Sequence, residues 1–419
     1  MKKTRQHIYG LLFLLFVALF YPGMLSGQTD YISNEEITSL LKKKGLEDIA
    51  VRYDSDTWHI TYSDNVYRGP VRGIFETFCL LLHEGKLKGD ISLLIQESQL
   101  PQVVCEVSRE MTETYRNHEI TLEQLMSSVQ ISYQTDESWL LLKDIKKENR
   151  SAGKIDVVLY PQTTLNNAWL DKLYGTILNI APALEVSLWK GASFTGQVIF
   201  PVWNNMKGEM DYIRPGMLLF RQEYRFPKNF FVEVNAGNFN ANRLGVDVSA
   251  SYKTNNDRWS GGVSAGITGS STFYSGKWEV SRWKRPTGSV YLRYNEPIYN
   301  LQFDIKAQRY IFGDYGVRFD CTRHFGEVSI GFYAMYSGGE PNGGFHFALP
   351  FPGKKRMNRR AVRIDIPEYF DWEYEARNGG AYASERLGRY YETRPDENRS
   401  QRYYNPSYMR EMLMKLATD

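Results

Sequence analysis

The sequence predicts an all-β transmembrane β-barrel of about 12 antiparallel strands, carrying a small N-terminal α+β periplasmic domain. Three observations lead there. The chain opens on a secretory pattern, no later apolar run reaches the roughly eighteen residues of a spanning helix, and period-2 alternation recurs through residues 173–352. Only helices and closed barrels satisfy their backbone in lipid. An exported chain without a spanning helix is therefore either soluble or a barrel.

Residues 1–27 read as a signal peptide. Lys2, Lys3 and Arg5 form a positive n-region, Ile8 to Tyr21 an apolar h-region, and Ser26 and Gly27 the small residues of a cleavage site. Gln28, Thr29 and Asp30 follow without a basic stop, which favours cleavage over a retained anchor, and no cysteine follows to carry lipid. A net charge of +3 gives no argument for nucleic acid. Three cysteines make no disulfide scaffold. Cys79 and Cys105 fall in one region, where a Cys79–Cys105 disulfide is one option and free thiols the other. The 29 Tyr, 22 Phe and 9 Trp match the aromatic load of girdled barrels, and equally of large carbohydrate-handling β proteins.

Residues 28–110 alternate helix and strand signals. A helix from Asn34 puts Ile37, Leu40 and Leu41 on one face and stops at Gly45. "IAVRY" and "WHITYS" read as strands turned at Asp54-Ser55-Asp56. "VRGIFETFCLLLHEG" reads as a second helix, and "ISLLIQES" with "QVVCEVS" as a second hairpin. The order αββαββ predicts a small α+β domain, and residues 111–172 read as a less regular linker.

In the barrel region the pattern is a two-sided comb. Leu301, Phe303, Ile305 and Ala307 oppose Gln302, Asp304, Lys306 and Gln308; Leu244, Val246, Val248 and Ala250 oppose Gly245, Asp247, Ser249 and Ser251. Phe220, Tyr224 and Phe226 likewise oppose Arg221, Glu223 and Arg225. The strands run to about 10 residues and are joined by short turns such as "PKN" and "TNNDR", whereas sandwich strands are usually about five or six residues. The polar comb also carries both charge signs, as an enclosed wet lumen would. Residues 353–419 break the pattern with a basic knot (Lys354, Lys355, Arg356, Arg359, Arg360) and an aromatic-rich polar tail. The tail ends in a short helix opened by Asn405-Pro406 and is expected to dock on the barrel mouth or the N-terminal domain.

With that comb established, "RYIFGDYGV", the Arg323-x-Phe325 strand end, "GFYAMYS" and "GGFHFALPF" become informative together. The stretch Tyr294 to Phe351 resembles the YjbH-like family of outer-membrane proteins, with weaker similarity in "GQVIFPVWNN" and "VNAGNFNANRLGVDV". The resemblance implies a barrel with periplasmic α/β parts and a role in exopolysaccharide or capsule secretion. It hands over no catalytic residues.

No motif of metal, nucleophile or nucleotide chemistry is placed where it could act. The six histidines lack ligand spacing; His59 and His83 read as structural. Glu373 and Glu375 could do glycosidase work only across a cleft, and on one strand of a tail they read as solvated charges. The candidate site is instead the lumenal comb: Arg221, Glu223, Arg225, Asp304, Lys306, Arg318, Asp320 and His324, with Trp189 and Tyr291 as sugar-stacking aromatics. Either these charges pair with one another as a wall, or their arginines meet an acidic glycan bidentately. The expected protein is non-enzymatic and without cofactor. It sits in the outer membrane with its N-terminal domain in the periplasm, and its partners are membrane lipid, polysaccharide and other export-machinery proteins. The rival readings are a barrel enzyme acting on lipid and a soluble exported carbohydrate-binding β protein.

Overall fold

The computed structural model of the chain describes residues 32–85, 87–166, 175–206, 210–353, 361–376, 382, 384–395 and 403–418. The stretch that reads as a signal peptide and the basic knot lie outside the described residues.

The N-terminal region is one five-stranded sheet in the order β1-β2-β3-β4-β5. Helix α1 (Asn34–Lys44) leads into β1 (Glu47–Asp54) and β2 (Thr57–Ser63), turned where expected, with Ser55 and Asp56 both at positive φ. Helix α2 (Pro70–Leu80) then carries the chain across to β3 (Asp90–Glu97), which pairs parallel with β2 and hairpins into β4 (Leu100–Val107). A parallel neighbour demands such a crossover, which is why the second helix sits between the two hairpins. Ala50, Leu94, Val104 and Leu142 form the core on one face of this sheet.

The span expected to be a linker is mostly ordered structure. It holds α3 (Arg109–Arg116), α4 (Leu122–Ser128), β5 (Gln130–Ser132) and α5 (Asp136–Leu142). Thr121 and Gln124 close a reciprocal capping box at the start of α4. These short helices bury few apolar side chains each, so their periodicity is too brief to stand out in the sequence.

Cys79 and Cys105 are free thiols, not a disulfide. The buried stripe of α2 is Val71, Ile74, Thr77 and Phe78; Cys79 follows one step round the helix, beside Glu76 and Lys44. Cys105 is fully buried in the middle of the sheet. Burial pushes the Cys79 thiol up to about 11, with the Glu76 carboxylate adding to it, and raises that of Cys105 further.

The rest of the chain builds a 14-stranded sheet. Its strands are β6 (Ile155–Asn166), β7 (Gly175–Ser187), β8 (Ala192–Asn204), β9 (Arg214–Phe226), β10 (Phe230–Phe239) and β11 (Arg243–Lys253), then β12 (Trp259–Tyr274), β13 (Lys277–Glu296), β14 (Leu301–Arg309), β15 (Tyr315–Phe325), β16 (Val328–Ser337) and β17 (Glu340–Pro350). The first of these starts at Ile155, inside the expected linker. Each is antiparallel to the next in simple meander order.

The two remaining strands come from the tail. β18 (Val362–Asp365) pairs parallel with β6, and β19 (Tyr369–Glu375) pairs antiparallel with β17. Only Ile366, Pro367 and Glu368 separate them, so both edges of the meander are paired by one nearly continuous segment. β19 alternates as a wall strand does. Phe370, Trp372 and Tyr374 pack against Phe345 and Phe347, whereas Glu373 bonds the polar-face Arg318. The sequence places this tail as a docked polar segment; its pairing as two sheet strands, one of them only four residues long, is an addition of the structure.

Burial along these strands is inverted relative to a water-soluble sheet. The apolar comb is exposed: Val263 51%, Ile305 50%, Val317 47%, Phe332 66%. The polar comb is buried: Asn235, Thr268, Gln302, Thr322 and Ser337 are each within a tenth of fully covered. Exposed aromatics gather near the two ends of the strands. Phe226, Phe230, Tyr252, Trp259 and Phe325 lie on the side of the N-terminal domain, and Trp203, Tyr274, Trp283, Tyr315 and Tyr336 toward the other.

Candidate functional site

A cavity of about 790 Å³ lies against the polar face of the sheet, lined also by the N-terminal region and the tail. Its wall is built by strand alternation: Lys253 on β11, Tyr291 and Arg293 on β13, Asp304 and Lys306 on β14, and Arg318, Asp320 and His324 on β15. The register places Arg293 opposite Asp304, and Arg318 opposite Lys306.

Five of the eight sequence-predicted residues therefore line one space: Asp304, Lys306, Arg318, Asp320 and His324. Most of their charge is already matched. Arg293 donates to Asp304 at 2.6 Å. Arg318 donates to both Asp320 and Glu373 at 2.7 Å and lies 3.8 Å over the Tyr333 ring. Glu373 and Glu375 are thus engaged inside the sheet, Glu375 accepting from Asn342, and are not the solvated pair the sequence suggested. His324 stacks on Tyr403 at 4.4 Å and touches Gln302 at 3.3 Å. Lys253 and Lys306 differ: among the described residues neither amine has a carboxylate in ion-pair range. Lys253 lies over the rings of Tyr133 and Phe231.

The other three predicted residues serve elsewhere. Arg225 donates to the carbonyls of Pro101, Gln102 and Tyr133, fastening β9 to the N-terminal region. Arg221 donates to Asn235 and to the Thr393 carbonyl, and Glu223 accepts from Arg394. Trp189 is not lumenal: it sits 55% exposed beyond the end of β7 and packs on the outward Phe220.

Glu223 and Arg221 lead to the feature that the sequence concealed, a tail laid against the polar face of the sheet. Tyr382 and Leu387 pack on Tyr310, Tyr333 and Met335. The Ile311 amide donates to the Arg389 carbonyl, the Gly388 amide to Asp314, and the Glu392 amide to Asn240, all at one end of the sheet. Tyr391 donates to Asp247 at 2.7 Å and stacks on Phe239. Gly266 makes the room: a Cβ there would lie 1.9 Å from the Tyr391 hydroxyl oxygen. Arg394 donates to Glu223 at 3.4 Å and to Glu233 at 3.1 Å.

At the other end the tail closes with helix α6 (Pro406–Thr418), started as expected at Asn405, whose side chain accepts from the Tyr408 amide. Tyr403 donates to Asn295, Ser407 to Asp257 and Tyr408 to the Gly326 carbonyl. Tyr133 of the N-terminal region donates to the Tyr404 carbonyl at 2.5 Å, and burial raises its phenol well above the ordinary range. Arg68 completes this end, bonding Glu327 and the carbonyls of Phe351 and Gly353. Helix, domain and turns thus meet around one mouth of the cavity. Arg293, Arg68 and Arg394 escaped the sequence reading. Arg293 sits on the polar comb of "YLRYNE" and was legible; the other two lie outside any strand, where pattern says nothing.

A family model described as exopolysaccharide biosynthesis protein YbjH matches residues 24–342. The chain belongs to the YjbH family. The match takes in the five-stranded sheet and all the wall strands up to the start of β17, so both parts of the molecule are family features. No curated protein matches this YjbH-family chain. Among solved structures, OmpTdeltaL8 is similar to it; this is a loop L8 deletion mutant of OmpT, an outer membrane protein of Vibrio cholerae. That similarity stands at 7% identity and a TM-score of 0.27, over 47% of this chain and 85% of the other, and carries no argument here.

Proposed function

We propose that this YjbH-family protein is a closed outer-membrane β-barrel, with its N-terminal sheet in the periplasm, that takes part non-enzymatically in secreting or assembling exopolysaccharide or capsule. One observation carries the membrane reading: the wide exposed face of the sheet is apolar while the enclosed face is polar. Soluble monomers rarely expose apolar patches beyond a few hundred Å². Facing lipid, the same comb is at rest, and an Arg or Lys among its midplane positions would cost about 2–4 kcal/mol. The end aromatics match interfacial girdles, and the β18–β19 segment supplies a seam that joins the edges.

The export role rests on family membership together with a lumen suited to sugars. Lys253 and Lys306 offer amines with no carboxylate in ion-pair range among the described residues, and Tyr291 and Tyr403 line the same cavity. This is the chemistry that holds acidic saccharides. The paired Arg318, Asp320 and Asp304 keep the wall rigid around them. Deleting the gene is expected to reduce or abolish the surface polysaccharide, restored by the wild-type gene and poorly by a Lys253→Glu/Lys306→Glu double variant. An unchanged polysaccharide layer in the deletion strain contradicts the role.

A further inference from the structure

The hairpin of β12 and β13 outruns its neighbours: sixteen and twenty residues, against nine to thirteen in the other wall strands apart from those two. It projects at the end of the sheet away from the N-terminal domain. Its ladder is interrupted where Gly269 pairs with Lys284 and Ser271 with Val280, leaving Ser281, Arg282 and Trp283 facing the single residue Ser270. A bulge re-aims side chains. Here the Ser281 hydroxyl accepts from the Trp283 amide at 3.1 Å, and Trp283 stands 84% exposed, the largest exposure of any tryptophan among the described residues.

Lys277, Arg282 and Lys284 flank it, all exposed and none with a carboxylate in ion-pair range among the described residues. Glu279 is the single acid on the same strand tip. Tyr274 (69% exposed) and Trp278 (41%) complete the patch, Tyr274 braced edge-on by Tyr212. Below it the outward positions turn apolar at Pro286, Val290 and Leu292. The patch therefore sits where the apolar belt ends, cations and rings side by side.

We infer that this bulge is a docking site for the phosphorylated headgroup of an outer-leaflet glycolipid, bound through Lys277, Arg282 and Lys284 with Trp283 seated at the headgroup level. The inference rests on the proposed orientation of the barrel, which puts this end at the cell surface. Charge complementarity selects the ligand: three unpaired cations beside exposed rings suit phosphate groups on a sugar, whereas a neutral lipid would leave them uncompensated.

The test uses the full chain in neutral detergent with bisphosphorylated lipid A, its dephosphorylated form and phosphatidylglycerol as probes, read by native mass spectrometry at low and high salt. Bisphosphorylated lipid A is expected to bind best, with affinity falling as salt rises. Lys277→Ala/Arg282→Ala/Lys284→Ala should weaken binding by at least about tenfold, and Trp283→Ala less. Equal binding by the triple variant, by the dephosphorylated lipid or by phosphatidylglycerol overturns the inference. Heat-dependent gel mobility of the same samples separates the two readings. A chain without it loses both, whereas a heat-modifiable barrel that binds lipid A indifferently loses only this one.

Discussion

Replacing Arg318 with alanine is expected to destabilise the folded sheet by about 3–5 kcal/mol, the scale for stripping one partner from a buried ion cluster. Its guanidinium satisfies Asp320 on its own strand and Glu373 on β19 and covers the Tyr333 ring, with the side chain 13% exposed. Without it, two carboxylates remain on the polar face with no guanidinium between them, and the ion pair from β15 to β19 is gone. Urea unfolding of the detergent-reconstituted protein measures the loss. Asp320→Ala alone should cost less, and the Arg318→Ala/Asp320→Ala pair should cost less than the sum of the singles by about 1 kcal/mol or more. Strict additivity would mean that the cluster is not a unit.

Substituting Arg394 should release the tail from the lumen. This one side chain links the tail to two wall carboxylates, Glu223 and Glu233. Arg394→Glu sets a third acid against them, at a cost of several kcal/mol in a low-dielectric interior if all three stayed charged in place, so the tail is expected to leave instead. In planar bilayers the wild-type protein is expected to conduct little, and the variant to show frequent openings. Tyr391→Phe, which removes only the bond to Asp247, should give an intermediate record. A wild-type channel already open, with conductance unchanged in Arg394→Glu, would remove the tail from any gating role.

Strand alternation is legible wherever a strand has one apolar and one polar side, because one side chain in two must then be of each kind. That is why β11, β14 and β15 emerge from sequence almost to the residue, and why Arg318, Asp320, Lys306 and His324 could be assigned to one face before any coordinates. Arg323, between Thr322 and His324, falls on the opposite comb and lies over Phe325. What the pattern could not reveal was partnership. Arg225 and Arg221 look identical on paper, yet the first holds domain carbonyls and the second the tail. These partners lie 92 to 172 residues away, and nothing local encodes them. The seven- and eight-residue helices between residues 109 and 142 and the four-residue β18 failed for a related reason: each carries too few positions to show a period.

The central claim is that the inverted sheet is a closed barrel in the outer membrane, and electrophoretic mobility of outer-membrane extracts before and after boiling tests it most directly. The protein is expected to fractionate with the outer membrane, and the unboiled band to migrate at a different position from the boiled one, because an intact barrel resists detergent. Recovery wholly in the periplasmic fraction, with a single band whether boiled or not, would contradict it.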